Sequence, residues 1–244
     1  EMDPSGADFV HTLMECAKLA FADREVYYGD PNFADVPLPT LLSDAYNDAR
    51  RKLVGETANY DFRPGEIDGF GQMPNLYPLG TTMRADKAQS HEYDHMFINQ
   101  MGQARGDTCH LDVIDKSGNM VSATPSGGWL SSSPAIPEFG FCLSTRGQMF
   151  WIDEDHPGCI APGKRPMHTI IPGMLSKNGR AVMPFGVMGG HYQPVGHSWL
   201  LSSILDHGLD PQEAMDLPRI FAYENQVEIE NGVSDALAAD LAAR

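Results

Sequence analysis

Along the first 28 positions, apolar residues fall three and four apart. Phe9, Val10, Leu13, Met14, Ala17, Ala20 and Phe21 in "ADFVHTLMECAKLAFADREVYY" keep that period, which predicts a helix over 7–28 with Asp3 or Ser5 as its cap. "GDPNFADVPLP" at 29–39 breaks it with a glycine and three prolines, and "TLLSDAYNDARRKLV" predicts a second helix over 40–54. From Gly55 to Gly106 neither period persists. That stretch reads as a loop or linker, and stretches of such length without regular structure are usually functional or mobile.

Beyond the linker the texture turns to alternation. "TCHLDVID" and "MVSAT" flank the turn "KSGN", "FGFCLSTRGQMFWI" at 139–152 reads as another strand, and "MHTIIPGML" and "AVMPFGVM" flank "SKNGR" as a second hairpin. "GGHYQPVGHSWLLSSILDHGL" opens on a glycine turn and continues at helical spacing through Val195, Trp199, Leu200, Ile204 and Leu205. His191, His197 and His207 read as ordinary residues of that helix. "DPQEAMDLPRI" predicts a short helix ended by Pro218, and "QVEIENGV" a last strand. Helices, a linker, then hairpins and helices predict an α+β class, with stacked antiparallel sheets under helix layers rather than a parallel doubly wound sheet.

Composition narrows the partners. The 17 basic against 33 acidic residues leave a net charge of −16, which repels a phosphate backbone, so nucleic acid is not an expected partner. No apolar run approaches the ~18 residues that would cross a bilayer, so no membrane partner is expected. The signal-peptide pattern is missing at a chain that begins on Glu1, and the expectation is that further sequence lies upstream; the compartment cannot be read. Cys16, Cys109, Cys142 and Cys159 form no CxxC pair.

Two stretches carry candidate chemistry. "HEYDH" at 91–95 matches a zinc pattern, two histidines one turn apart with a glutamate, but Asp94 sits where an apolar residue is usual and no third ligand is evident. It reads as a solvated linker, and neither a metal nor another cofactor is expected. The second stretch is Thr108-Cys109-His110. On a strand, Thr108, His110 and Asp112 share one face, while Cys109 joins Leu111 and Val113 on the other as a packing residue. A threonine hydroxyl is a poor nucleophile without a base, and its own α-amine becomes one if the bond before it is cut.

"TCHLDVIDKSGNMVSAT" resembles the start of the small subunit in the γ-glutamyltranspeptidase family. "ADREVYYGDP" at 22–31, "GKRPMHT" at 163–169 and "MGG" at 188–190, before a helix that leads to "LPRI", agree with it in order. The resemblance implies an N-terminal-nucleophile hydrolase: a four-layer αββα sandwich made as a precursor that cuts itself between Asp107 and Thr108. It divides the chain into 1–107, from the large-subunit region, and 108–244, the small-subunit region, the two remaining associated. It further implies Thr108 as nucleophile, Ser126 as the second hydroxyl that supports it, and Gly189 and Gly190 as oxyanion donors. By themselves those glycines also read as a tight turn.

Departures from the family pattern bear on the substrate. Arg146 and Met149 stand where a glutamine and an aspartate hold the substrate's α-amino group, His168 and Thr169 replace paired serines, and Gly128 replaces an asparagine. A guanidinium favours a carboxylate over an ammonium. Arg146 also reads as a structural ion-pair residue, and His168 as a core or surface histidine. The leading expectation is cleavage of γ-glutamyl, glutathione-like amides through an acyl-enzyme, with water or an amine as acceptor. The alternatives are an acylase acting on dicarboxylate mono-amides of glutaryl or oxamate type through Arg146, and an inactive unprocessed fragment or binding protein. A homo-oligomer is compatible with this reading.

Overall fold

The computed structural model describes residues 2–70, 108–128, 133–223 and 226–244. In chain order it contains α1 (Ala7–Tyr27), α2 (Leu38–Leu41), α3 (Asp44–Arg51), β1 (Leu111–Ile114), β2 (Met120–Ala123), β3 (Ala135–Ile136) and β4 (Phe141–Cys142). There follow β5 (Gly173–Lys177), β6 (Arg180–Phe185), α4 (Gln193–Leu205), α5 (Pro211–Asp216), β7 (Ile220–Tyr223), β8 (Gln226–Ile229) and α6 (Asp235–Ala243). Each strand pairs antiparallel with its neighbour in sequence, β1 with β2, β3 with β4, β5 with β6 and β7 with β8. The architecture is mixed, helices with small antiparallel sheets.

The described residues fall into two compact units, one of 2–70, 151–165, 198–223 and 226–244, the other of 108–128, 133–150 and 166–197. In the first, α1 buries Phe9, Val10, Met14, Leu19 and Val26. Phe9 meets Trp199 edge-on at 5.8 Å, and Val26, Tyr27, Leu41 and Ile67 form a core with Tyr46, Phe62 and Phe70 packed against it. The helix also buries acids. Glu15, 1 % exposed, accepts from Arg63 Nη2 at 3.0 Å and Asn59 N at 3.2 Å and pairs with Lys18, while Asp23 accepts from Arg50 Nη2 at 3.2 Å and Gly65 N at 2.7 Å. A buried carboxylate is tolerated only with such partners.

Four local expectations change. Neither Asp3 nor Ser5 caps α1: Asp3 accepts from the Ser5 N–H and hydroxyl instead, and extended Gly6 precedes the helix without a side-chain cap. The second predicted helix is two, because extended Ser43 restarts the chain and its Oγ accepts from Tyr46 N at 3.3 Å. Of 139–152 only Phe141–Cys142 is a strand. Ser144 then caps a 3-10 helix, Thr145–Met149, its Oγ accepting from Arg146 N at 3.3 Å, so Arg146 stands on a tight turn rather than a strand. Finally His191 lies in the 3-10 turn Gly190–Tyr192 and His207 past the end of α4, where it meets Phe9 edge-on.

The second unit is built from short hairpins. At the β5–β6 turn Asn178 and Gly179 have φ 53° and 75°, the left-handed pair that suits the twist of a two-residue hairpin. Ser122 Oγ of β2 donates to Phe185 O at the end of β6, 3.0 Å away. Leu111, Val113, Ile114 and Val121 are each about half exposed, so the aliphatic positions of this hairpin lie largely open among the described residues.

Candidate active site

Strand register explains how residues 18 apart in sequence come together. Leu111 pairs with Ala123, and the Cys109 N–H donates to Pro125 O at 3.1 Å, so the ladder continues backward past the end of β1. That sets His110 opposite Thr124 and Thr108 opposite Ser126. Both are positions between ladder hydrogen bonds, where facing side chains lie closest. Thr108 Oγ1 accordingly lies 2.7 Å from Ser126 Oγ, and His110 Nδ1 lies 2.9 Å from Thr124 Oγ1.

Arg146 completes the group from the 3-10 helix. Its Nη2 donates to Ser126 Oγ at 2.6 Å. Two features aim it there. The Thr145 N–H donates to Gly127 O at 2.6 Å, pinning the 3-10 helix to the residue after Ser126. Gly127 has φ 70°, and a Cβ on it would lie 3.0 Å from Arg146 Nε. The left-handed angle suits glycine, and its missing Cβ leaves room beside the guanidinium.

His110 is fixed on three sides. Besides Thr124, its Nε2 lies 3.0 Å from Asp112 Oδ2, an ion-pair contact without hydrogen-bond alignment, which agrees with the shared face expected for Thr108, His110 and Asp112. A Cβ at Gly186 would collide with its ring. Gly186 opens the loop that reaches Gly189 and Gly190, whose φ values of 115° and 56° lie in the left-handed region. Glycines adopt such angles without the steric cost that a Cβ brings. The Tyr192 N–H bonds back to Gly189 O at 2.9 Å, and α4 follows. Burial, then the charge of His110, holds the His197 imidazole below its ordinary value; Phe185 meets that ring at 4.9 Å.

The remaining expected site residues are not gathered on Thr108 in the same way. His168 is exposed, and Thr169 is buried with no hydrogen-bond partner for its Oγ1 among the described residues. Just beyond, the Ile171 N–H donates to Oε1 of the fully buried Gln193, the first residue of α4, at 3.2 Å. Asp107 and "HEYDH" lie outside the described residues, and among those that are described no group of three or more His, Cys, Asp or Glu could hold a metal. Gly127, Thr124 and Gly186 were not singled out by pattern. The run "TPSGG" directly after β2 and the glycines of "GVMGG" are the signal that points to them.

A separate polar centre lies in the first unit. Asp30, from "GDP", accepts from Arg165 of "GKRP" through N at 2.8 Å, Nε at 3.2 Å and Nη2 at 2.7 Å, and the guanidinium hydrogen bonds hold its carboxyl well below the usual range. A Cβ on Gly29 would lie 2.5 Å from Pro157 O, so the glycine lets the two segments approach. His156 is buried here: it accepts from the Gly158 N–H through Nδ1 at 2.8 Å, donates to Glu25 O through Nε2 at 2.9 Å and stacks on Trp151 at 4.0 Å. Burial pushes its pKa down. The contacts select the neutral tautomer with hydrogen on Nε2.

The "Glutathione hydrolase-like YwrD proenzyme" of Bacillus subtilis is 30 % identical over 220 residues, 90 % of this chain and 35 % of its own length. The "Acylase ACY 1 proenzyme" of Pseudomonas sp. (strain SE83) is 30 % identical over 241 residues, 97 % of this chain and 37 % of its own length. Among solved structures, the cephalosporin acylase from Bacillus halodurans superposes with a TM-score of 0.74 at 32 % identity, covering 97 % of this chain and 37 % of that one. The chain thus spans a little over a third of the length of the relatives it matches. The family model described as gamma-glutamyltranspeptidase matches residues 1–244, and with these relatives it shows that the chain belongs to the γ-glutamyltranspeptidase family.

Proposed function

We propose that the protein containing this chain is a self-processing amidohydrolase in which Thr108 is the nucleophile. The observation that carries this reading is the row Thr108–Ser126–Arg146, two hydroxyls 2.7 Å apart with a guanidinium on the second. The proposed fold of the whole is the four-layer αββα sandwich, with the chain dividing at Asp107–Thr108 into two subunits that stay associated. Cutting that bond turns the Thr108 amide nitrogen into a free amine. Such an amine, of pKa near ~8, takes the hydroxyl proton as Oγ1 attacks an amide carbonyl.

The Oγ1–C bond forms as the carbonyl π bond opens, and collapse of the tetrahedral species breaks the C–N bond. The leaving amine departs with the proton the α-amine received. Water or a second amine then adds to the ester and releases the acyl group, returning a proton to Oγ1. Backbone N–H groups of Gly189 and Gly190 are the proposed oxyanion donors, each worth about 3–4 kcal/mol in such a role. His168 and Thr169 are proposed to line the acyl pocket.

The acyl group follows from charge. Arg146 brings a guanidinium to the hydroxyl pair, and a guanidinium favours an acyl chain ending in a carboxylate over the α-ammonium of a γ-glutamyl group. Hydrolysis of dicarboxylate mono-amides, glutaryl or oxamate type, is therefore the favoured reading. Similarity to an acylase proenzyme and to a cephalosporin acylase supports it. γ-Glutamyl cleavage is the second reading, favoured by similarity to a glutathione hydrolase-like proenzyme. A panel of glutaryl, γ-glutamyl and butyryl amides of one chromogenic amine tests it. Glutaryl is expected to give the highest kcat/KM; a γ-glutamyl preference of tenfold or more, roughly, would reverse the assignment.

A further inference from the structure

We propose that Arg146 is a positioning residue for the nucleophile itself, acting through Ser126 whatever acyl group is bound; this rests on the reading of Thr108 as nucleophile. A guanidinium has five N–H donors and no acceptor, so the 2.6 Å contact makes Ser126 Oγ the acceptor. A hydroxyl that accepts from a cation is polarised into a stronger donor. Ser126 then directs its own hydrogen along the 2.7 Å contact to Thr108 Oγ1. Thr108 thereby becomes an acceptor, its hydrogen points away toward the base, and the negative charge that grows on Oγ1 as the proton leaves meets a polarised donor.

The fold builds this aim rather than leaving it to a long side chain. Backbone pinning of Thr145 to Gly127, the Ser144 cap on Arg146 N and the absence of a Cβ at Gly127 hold the guanidinium over Ser126. Serine, not alanine, is required at 126 for the effect to reach Thr108. A guanidinium that served only to grip a substrate carboxylate needs no hydroxyl between itself and the nucleophile.

The test uses the complete protein, with Arg146→Gln, Ser126→Ala and the double variant, and two acyl donors, glutaryl and butyryl amides of the same amine. Butyryl lacks the distal carboxylate. With it, Arg146→Gln is expected to lower kcat by about 10- to 100-fold, the worth of a hydrogen bond to a charged group, with KM little changed. In the Ser126→Ala background the same substitution is expected to cost less than about threefold, because the relay is already gone. Self-cleavage at Asp107–Thr108 is the second readout, since it needs the same hydroxyl and no added substrate; precursor of Arg146→Gln that melts like wild-type precursor is expected to convert more slowly by a similar factor.

Unchanged kcat on the butyryl donor and unchanged self-cleavage would overturn the proposal, as would an equal loss with and without Ser126. These outcomes leave the nucleophile reading intact. That reading fails separately, if a peptide-mapped acyl group from the wild-type protein is found elsewhere than on Thr108.

Discussion

The two units use arginine in opposite ways. In the helical unit Arg50, Arg63 and Arg165 end on the carboxylates of Asp23, Glu15 and Asp30, and backbone carbonyls take further N–H groups of Arg50 and Arg63. These cations are matched by anions and stabilise a packed scaffold. In the hairpin unit Arg146 donates to the Ser126 hydroxyl, and that hydroxyl faces the Thr108 hydroxyl. A guanidinium that reaches a pair of hydroxyls can act on charge that develops there. The difference teaches where to look for chemistry in this fold: at a cation that reaches a polarizable chain of hydroxyls.

The contrast is broken most severely at the proposed nucleophile. Thr108→Ala removes the oxygen proposed to attack and nothing from the scaffold. Self-cleavage and amide hydrolysis are expected to vanish, a loss of at least about 10⁴-fold, with the thermal unfolding of the precursor unchanged. Intact mass reads the first and calorimetry the second. A Thr108→Ala protein that still splits at Asp107 would move the active site out of the hairpin unit.

The complementary substitution is Glu15→Ala. It strips a carboxylate that is 1 % exposed and leaves Arg63 and Lys18 without it, so unfolding free energy is expected to fall by about 3 kcal/mol in urea titration. Activity per folded molecule is expected to stay within twofold or so of wild type, roughly the scatter of independent sites. A tenfold drop in kcat at unchanged stability would erase the division between scaffold and site charges.

How much of this contrast sequence pattern reveals depends on sequence distance. α1 is legible because Phe9, Val10 and Met14 keep the helical period, and the β1–β2 hairpin because alternation flanks a short turn; Ser126 is marked only by the family resemblance, and the register then sets it opposite Thr108. Arg146 reads as a strand residue because Phe139, Phe141 and Leu143 mimic alternation. The Ser144 cap, a local hydrogen bond that no periodicity encodes, turns the chain instead. The Asp30–Arg165 pair spans 135 positions and leaves no periodic trace. Only the quoted family segments, "GDP" and "GKRP", mark its two ends. His156 is similarly silent, since its role comes from a carbonyl of α1.

Protonation acts on both units, and more gently. Burial lowers the folded pKa of His156, so the unfolded chain binds a proton first as pH falls through the ordinary histidine value near ~6.5. The unfolded state then carries more protons than the folded one, and stability declines with falling pH until the folded imidazole also titrates. His156→Gln is expected to flatten part of that decline between pH 7 and 5 in urea titrations. The portion that persists belongs in part to His197, whose pKa shifts in the same direction for the same reason. A steeper decline in the variant would contradict the neutral tautomer bonded to Glu25 and Gly158.

The smallest expected effect tests whether the hairpin unit depends on local turn chemistry as the helical unit depends on charge. Asn178 holds φ 53°, where a Cβ costs roughly 1–2 kcal/mol but asparagine is tolerated because its side chain can bond locally. Asn178→Ala is expected to lower stability by about 1 kcal/mol, and Asn178→Gly to change it by only a few tenths, roughly, since glycine accepts the angle at some cost in unfolded-chain entropy. Hydrogen exchange of β5 and β6 amides reads the change where it occurs. If both variants protect those amides equally, the register of this hairpin is set by its strands and not by Asn178-Gly179.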